Sequence, residues 1–295
     1  MGVLTCDTWL RRTFAAALAL LLLHGCAVPS PQARGTRTME WATEQGWRSL
    51  VLPGRVFDIQ AFVPGSLQRA QRLTVYIEGD GLAWLDRHTP SFAPTPVDPL
   101  GFRLAVADMG AGVVYIARPC QYTFGPSFKG CQQKYWGSHR FAPEVIESMN
   151  DAVEQLRRRY GASELVLVGY SGGAAVAALL ATRRSDVAAL VTVAGTLDTD
   201  LWARTQRVSP LQASLNPKDV ASRLASLPQW HFVGQKDLVV PGSVLTSFLM
   251  GASGQDREPT RSPVIQVMPG FDHQCCWAAA WPELSRRFAG PAAGH

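Results

Sequence analysis

A serine set between glycines is the part of this sequence best suited to chemistry. Residues 165–173 read Leu-Val-Leu-Val-Gly-Tyr-Ser-Gly-Gly, an apolar run that ends in the pattern Gly-x-Ser-x-Gly. An Ala-rich stretch over 174–181 follows at once and predicts a helix. A serine on a sharp strand-to-helix turn projects its hydroxyl from the edge of a parallel sheet, as a nucleophile must. We therefore predict that Ser171 is a nucleophile, with Gly169 and Gly173 required by the close approach of strand and helix.

A serine hydroxyl needs a neighbouring base to take its proton, and that base needs an acid to orient it. His273 lies downstream of the serine, in a loop directly after the last predicted strand. Asp237 follows the preceding predicted strand, from where a carboxylate can reach the far side of the imidazole ring. We predict that His273 is the base and Asp237 the orienting acid. Asp198, which follows another predicted strand, is the alternative acid.

Short apolar strands alternate with helical segments along the chain, which predicts a mostly parallel sheet covered on both faces. The predicted strands are 48–52, 56–63, 73–77, 113–117, 165–168, 187–193, 230–233 and 264–267, and the predicted helices are 99–109, 143–160, 174–181, 244–250 and 276–288. The segment between the strands at 187–193 and 230–233 is too short to hold a large cap domain.

Three segments together resemble the α/β-hydrolase superfamily, in its order of serine, aspartate and histidine. They are Gly169–Gly173, the run Gly234–Pro241 with Asp237 inside it, and Asp272–His273. The resemblance covers residues 48–290. It implies the α/β-hydrolase fold, a mostly parallel sheet of about eight strands with helices on both faces. It also implies ester, thioester or amide chemistry.

Acyl transfer needs hydrogen-bond donors for the oxyanion that develops on the carbonyl. By the superfamily's pattern, one donor is the backbone N–H of Gly172, and the other comes from the loop after the strand at 73–77. That loop reads Glu-Gly-Asp-Gly from Glu78 to Gly81, where many esterases have a His-Gly-Gly-Gly-type sequence. We predict the N–H of Asp80 as the second donor. We expect Glu78 to hold the loop through hydrogen bonds.

The long segment 118–142 is rich in aromatic residues and follows the strand at 113–117. Ligands of such sheets bind at the carboxyl edge. Together with Trp84 and Trp202, the segment either lines an acyl or aromatic pocket or packs its own rings down. Arg118 and Arg140 either bind a substrate carboxylate or pair with a local acid.

The N-terminus resembles a bacterial lipoprotein signal peptide. Two arginines precede the apolar stretch 14–23, which is too short to span a bilayer as a mature helix. The following Leu-His-Gly-Cys, ending at Cys26, resembles the box in which the cysteine is lipidated. The alternative is a plain secretory signal with an incidental Cys26. Ala27, in place of an aspartate after the cysteine, favours the outer membrane by analogy.

These features predict three regions. Residues 1–25 are a signal peptide, residues 26–47 are the lipidated cysteine and a flexible tether, and residues 48–290 are the hydrolase domain. We expect a protein of the cell envelope, held to the membrane through a lipid on Cys26 and facing the periplasm.

Export places the remaining cysteines in an oxidising compartment. Cys120, Cys131, Cys275 and Cys276 allow three pairings. We favour a Cys120–Cys131 disulfide, which closes a short loop. Cys275 and Cys276 are then free, bridged to each other or paired otherwise.

Charge and composition exclude several classes of partner. The 295 residues carry a net charge of +5, and the basic residues are scattered without interleaved aromatic residues, so we expect no nucleic-acid partner. No Cys-x-x-Cys or His-rich cluster suggests a metal, and the predicted chemistry needs no cofactor.

We therefore predict a serine hydrolase that cleaves a carboxylic ester or thioester in a small-molecule or lipid substrate, through an acyl-enzyme. An acyltransferase using the same triad is one alternative. A non-catalytic envelope binding protein on the same scaffold is another. No obligate protein partner is implied.

Overall fold

The structure is a computed structural model that describes residues 28–252 and 262–289. The predicted signal peptide 1–25 and Cys26 lie outside the described residues. A compact unit begins at Pro31 and contains the whole sheet.

The sheet has eight strands, in the spatial order β1-β2-β4-β3-β5-β6-β7-β8. The strands are β1 (Trp47–Leu52), β2 (Ile59–Pro64), β3 (Arg72–Ile77), β4 (Val113–Ile116), β5 (Glu164–Tyr170), β6 (Val187–Val193), β7 (Gln229–Gly234) and β8 (Val264–Met268). The first two strands pair antiparallel with their neighbours, whereas β4, β3, β5, β6, β7 and β8 run parallel. The predicted, mostly parallel sheet of about eight strands is confirmed.

Helices cover both faces of the sheet, so its central strands are mostly buried on both sides. The helices are α1 (Pro31–Glu44), α2 (Leu100–Ala107), α3 (Pro143–Tyr160), α4 (Gly172–Ala181), α5 (Thr199–Gln206), α6 (Gly242–Ala252), α7 (Trp277–Leu284) and α8 (Arg286–Ala289), with 3-10 turns at Gly125–Phe128, Gln133–Trp136 and Pro217–Leu224. Helices α3, α4 and α6 contribute to one apolar cluster, and α1, α2 and α7 contribute to the other. Between β6 and β7 lie only α5 and one 3-10 turn, so no cap domain is inserted there.

Two predicted elements differ from the structure at their ends. The strand predicted over 56–63 begins only at Ile59, because the Asp58 carboxylate accepts a hydrogen bond from the Gly54 N–H and shapes a turn before it. The helix predicted over 276–288 is interrupted at Ser285. Pro282 inside α7 cannot donate a backbone hydrogen bond, which weakens the helix there.

The flexible tether predicted up to residue 47 is wrong from Pro31 onward, where α1 begins. The buried residues of α1 are Arg34, Gly35, Thr38 and Ala42. They recur at helical spacing, yet none is a large apolar residue, so the sequence shows no hydrophobic period there. The folded unit therefore starts 17 residues before the predicted boundary at residue 48.

A buried arginine fixes α1 to the rest of the fold. The Arg34 guanidinium donates hydrogen bonds to the carbonyl oxygens of Thr95, at 2.8 Å, and Ala93, at 3.0 Å. A Cβ atom at Gly35 would lie 2.8 Å from the ring of Phe124, so a side chain there would require that ring to move. The helix is thus part of the packed structure.

The predicted Cys120–Cys131 disulfide is confirmed, with the two Cα atoms 5.6 Å apart. It ties the start of the segment 118–142 to a point eleven residues further on, and its Cys120 end is buried in the core. Cys275 and Cys276, whose state the sequence left open, are bonded to each other.

Candidate active site

Ser171 occupies the turn between β5 and α4, as the sequence predicts. Its backbone has a φ of 52° and a ψ of −120°, a conformation that costs a non-glycine residue about 1–3 kcal/mol. Backbone hydrogen bonds hold it there. The Ser171 N–H donates to the Val193 carbonyl at 2.9 Å, and the Ser171 carbonyl accepts from the N–H groups of Ala174 and Thr196. These contacts fix the hydroxyl-bearing residue between β5 and β6.

The glycines around Ser171 are required by close contacts. A Cβ atom at Gly169 would lie 2.4 Å from the Cα atom of Ala174, and one at Gly173 would lie 2.2 Å from the carbonyl oxygen of Ile77. Both distances are far below van der Waals contact. The predicted steric reason for these two glycines is confirmed, whereas neither has the positive φ that would also require glycine.

The structure brings the three residues of the predicted triad together. His273 Nε2 lies 3.0 Å from Ser171 Oγ, and His273 Nδ1 lies 2.8 Å from Asp237 Oδ2. An ionised Asp237 accepts the hydrogen bond of Nδ1–H, which leaves the Nε2 lone pair facing the serine hydroxyl. The Asp237 side chain is fully buried, and that of His273 is 13% exposed. The arrangement can therefore move a proton from the serine to the imidazole.

Backbone contacts orient the acid and the base. Asp237 Oδ1 accepts hydrogen bonds from the N–H groups of Val239 and Val240, both at 2.8 Å, which leaves Oδ2 for the histidine. The Tyr170 hydroxyl donates to the His273 carbonyl at 3.1 Å. A further bond joins the two loops after β7 and β8, from the Lys236 N–H to the Phe271 carbonyl. The loops that carry Asp237 and His273 are thus bonded to each other, and the His273 backbone is bonded to Tyr170.

The alternative acid, Asp198, does not contact His273. It caps α5, where its Oδ1 accepts hydrogen bonds from the Asp200 and Leu201 N–H groups, and its Oδ2 accepts one from the Ser247 hydroxyl. Burial works against ionisation, but these hydrogen bonds outweigh it and lower the pKa of the Asp198 carboxyl to about 2. Its role in the structure is to hold α5 and α6 together.

The two residues that carry the predicted oxyanion donors, Gly172 and Asp80, approach each other closely. Gly172 is the first residue of α4, so its N–H belongs to the open N-terminus of a helix. The Asp80 carboxylate contacts Gly172, since a Cβ atom there would lie 2.2 Å from Asp80 Oδ1. Among the described residues, neither the Gly172 N–H nor the Asp80 N–H donates to another protein group. Both are available to a ligand.

The loop after β3 lies directly against the nucleophile turn. A Cβ atom at Gly79 would lie 3.2 Å from the Cβ atom of Ser171. Gly81 has a φ of +64°, and a Cβ atom there would lie 1.9 Å from the Pro94 carbonyl oxygen. Only glycine fits this position, on both conformational and steric grounds.

Two arginines hold the Asp80 carboxylate. Arg118 Nη1 lies 3.2 Å from Oδ1, and Arg140 Nη1 lies 2.7 Å from Oδ2. Arg118 packs over the Phe141 ring and Arg140 over the Trp202 ring. Burial opposes the ionisation of Asp80, but the two guanidinium groups outweigh it and hold the pKa of its carboxyl below the usual value.

This ion cluster resolves one alternative that the sequence left open. Arg118 and Arg140 pair with a local acid, and that acid is Asp80, which also carries a predicted oxyanion donor. No pattern in the sequence points to this partner, since Asp80 lies 38 positions from Arg118 and 60 positions from Arg140 along the chain.

Glu78 holds the loop as expected. Its carboxylate accepts hydrogen bonds from the N–H groups of Gly79, at 2.9 Å, Gly101, at 3.1 Å, and Phe102, at 3.3 Å, and from the Tyr115 hydroxyl, at 3.0 Å. It thereby links the loop to the N-terminus of α2. Burial raises the pKa of Glu78 to about 7, although these hydrogen bonds work against that rise.

Most aromatic rings of the segment 118–142 pack the segment down. The Trp136 indole N–H donates to the Ser91 carbonyl at 3.1 Å, and the Tyr135 ring packs edge-on against Phe57. Trp202 donates to the Val239 carbonyl, whereas Trp84 is 41% exposed.

No group of three or more His, Cys, Asp or Glu residues in the described chain could hold a metal. Within 28–252 and 262–289, no helix is long and apolar enough to cross a membrane.

Comparisons with known proteins agree on the fold. Residues 116–232 match the family model described as the alpha/beta hydrolase fold. No curated protein sequence matches the chain significantly. The α/β-hydrolase fold predicted from the sequence is therefore confirmed.

Solved structures extend the likeness to most of the chain. An esterase from Pyrococcus furiosus is 10% identical, with a TM-score of 0.56 over 83% of this chain and 92% of the other. Est1E from Butyrivibrio proteoclasticus is 12% identical, with a TM-score of 0.56 over 81% and 96%. An alpha-beta serine hydrolase homologue from Coxiella burnetii is 15% identical, with a TM-score of 0.53 over 82% and 95%. At these identities the likeness concerns the fold alone.

The buried Glu78 predicts a pH-dependent stability. Between its ordinary pKa of 4.5 and the folded value of about 7, the folded protein keeps a proton that the unfolded chain has released. Raising the pH through this range therefore lowers the free energy of unfolding, by up to about 3 kcal/mol. In Glu78→Gln this contribution is absent. We expect its free energy of unfolding, measured by urea denaturation from pH 5 to pH 8, to fall less steeply than that of the wild type.

The matched control is Glu164→Gln, which removes a half-exposed carboxyl paired with Arg72 on β3. Curves for the wild type and Glu78→Gln that stay parallel over this pH range would contradict the prediction.

Proposed function

We propose that this protein is a serine hydrolase that cleaves a carboxylic ester or thioester bond through an acyl-enzyme. The observation that carries the proposal is the hydrogen-bonded chain from Ser171 through His273 to Asp237, with the serine on a strained turn. The shared fold with esterases from Pyrococcus furiosus and Butyrivibrio proteoclasticus is consistent with it.

The reaction begins with attack of Ser171 Oγ on the substrate carbonyl carbon. His273 Nε2 takes the hydroxyl proton as the new bond forms, and the buried carboxylate of Asp237 stabilises the resulting imidazolium. The tetrahedral intermediate then collapses, and His273 gives the proton to the departing alcohol or thiol. Water then attacks the acyl carbon as it gives a proton to His273. The bond between that carbon and Ser171 Oγ breaks as His273 returns the proton to Oγ, which releases the acid and restores the free serine.

The negative oxygen of the intermediate needs donors in place before the reaction. The N–H groups of Gly172 and Asp80 are free to serve, and the first also lies at the positive end of the α4 dipole. An unpaired Asp80 carboxylate beside them would repel the oxyanion. The guanidinium groups of Arg118 and Arg140 leave the cluster with one net positive charge, from two cations and one anion.

The triad predicts a labelling experiment. A fluorophosphonate probe should form an adduct with the wild type, since it reacts with an activated serine, and no adduct with Ser171→Ala. On p-nitrophenyl esters of increasing acyl length, we expect Ser171→Ala and Asp237→Asn each to lower kcat by about 10⁴-fold or more.

Other outcomes of the same experiment separate the alternatives. A missing adduct with a correctly folded wild type identifies a binding protein on this scaffold. Faster ester consumption on adding an alcohol, with the ester of that alcohol as product, identifies an acyltransferase.

The ion cluster predicts a further effect on turnover. In Arg140→Met the Asp80 carboxylate keeps only one guanidinium partner, so the positive charge beside the oxyanion is lost. We expect kcat on a small neutral ester to fall by about 10- to 100-fold with little change in KM, and Arg140→Lys to recover part of it.

Arg103→Met, which removes an exposed ion pair with Asp98, is the control. A rise in KM at unchanged kcat would instead show that Arg140 binds the substrate.

We also propose that the protein is lipid-anchored through Cys26 in the cell envelope and faces the periplasm. The Cys120–Cys131 disulfide supports an oxidising compartment. In cells that process lipoproteins, the wild type should fractionate with membranes, and Cys26→Ala should become soluble or stay unprocessed. A wild type without a lipid by mass spectrometry would refute the anchor.

A further inference from the structure

Six of the fourteen exposed large apolar side chains among the described residues lie in two loops, one after β3 and one after β7. We call them the apolar rim: Trp84, Leu85, Phe92, Val97, Leu238 and Val239, each between 41% and 84% exposed. Phe92 and Leu238 are the most exposed of the six. Single exposed apolar residues are ordinary on protein surfaces, but a concentration of them marks an interaction site.

The two loops flank the nucleophile at one edge of the sheet. Strand β3 is the neighbour of β5 on one side, and β7 lies beyond β6 on the other side. All four strands are parallel, so the loops that follow them emerge at the same edge as Ser171. Leu238 directly follows the acid Asp237 in the chain. The apolar rim therefore borders the candidate active site.

These side chains are exposed although hydrogen bonds hold the backbone of both loops. In the loop after β3, the Ser91 carbonyl accepts from Trp136, and the Ala93 and Thr95 carbonyls accept from Arg34. In the loop after β7, the Val239 N–H donates to Asp237. The backbone is held while the side chains face solvent.

Such side chains gain free energy when an apolar phase covers them, because their apolar area is removed from water. A rim of six therefore has a substantial affinity for an apolar surface, even if each side chain is only partly covered.

The chain outside the folded unit favours a lipid surface as the partner. Arg34, which holds the loop after β3, lies near the start of α1. Cys26 precedes Pro31 by five residues, and an extended chain of that length spans at most about 18 Å. A lipid on Cys26 would thus keep the membrane surface close to α1, whose Arg34 holds the loop that carries Phe92.

We propose that the apolar rim contacts a lipid surface and that the ester is part of a lipid whose acyl chain enters the site from that surface. This inference rests on the proposed hydrolase function and on the proposed lipid anchor at Cys26, and it narrows the substrate class.

The test compares two substrates with the full-length lipoprotein. One is p-nitrophenyl acetate in solution, and the other is p-nitrophenyl palmitate in phosphatidylcholine vesicles. The rim variants are Phe92→Ser and Leu238→Ser. The matched controls are Met109→Ser and Met250→Ser, which remove side chains that are 77% and 69% exposed. Met109 precedes β4, and Met250 lies near the end of α6 before β8, so both belong to the opposite edge of the sheet.

We expect each rim variant to lower the ratio of the vesicle rate to the solution rate by about tenfold, and each control variant to leave that ratio unchanged. Equal ratios in all four variants would overturn the inference. Hydrolysis of the acetate that depends on Ser171 would still support the proposed function in that case. Failure of the wild type to hydrolyse either ester would refute the proposed function itself. A wild-type dimer that Phe92→Ser dissociates, detected by sedimentation, would show that a second copy covers the rim and would also overturn the lipid assignment.

Discussion

The two hydrogen bonds of the His273 ring are the interaction on which the rest of the site depends. They join side chains from the ends of β5, β7 and β8, and parallel strands alone bring these ends only to the same edge of the sheet. Distances near 3 Å require local backbone constraints as well. The positive φ of Ser171 supplies one, and the two N–H groups that fix Asp237 Oδ1 supply another. The strain at the serine persists because surrounding hydrogen bonds hold it.

On the other side of Ser171, the loop after β3 is held by buried carboxylates and their partners in place of apolar packing. Glu78 and Asp80 are separated by one residue in the same short loop, and both carboxylates are largely buried. Glu78 is held by neutral donors and Asp80 by Arg118 and Arg140. Burying a carboxylate without partners would cost free energy. The loop therefore keeps the one conformation in which both carboxylates have their partners. The loop is thereby rigid where it lies against the nucleophile, which preorganised donors require.

Much of this arrangement could be predicted from the sequence, because its signals are local. The helix over 143–160 follows a clear apolar period, and the Ser171 pattern combines a strand, glycines and a helix within a few residues. Helix α1 was missed because its buried face carries Arg34 and small residues in place of large apolar ones. The partners of Asp80 were also beyond prediction. They depend on contacts across the fold, and no spacing in the chain encodes them.

The loop after β3 connects these features. Its first residues lie against Ser171, and its later residues are held by Arg34 on α1. Helix α1, which the sequence predicts to be part of a flexible tether, is therefore in contact with this loop. The same loop carries one of the two predicted oxyanion donors. That loop is therefore held at both ends, by Arg34 on α1 at one end and by its contact with Ser171 at the other. The N-terminal segment is in this sense part of the site's support and not only a link to an anchor.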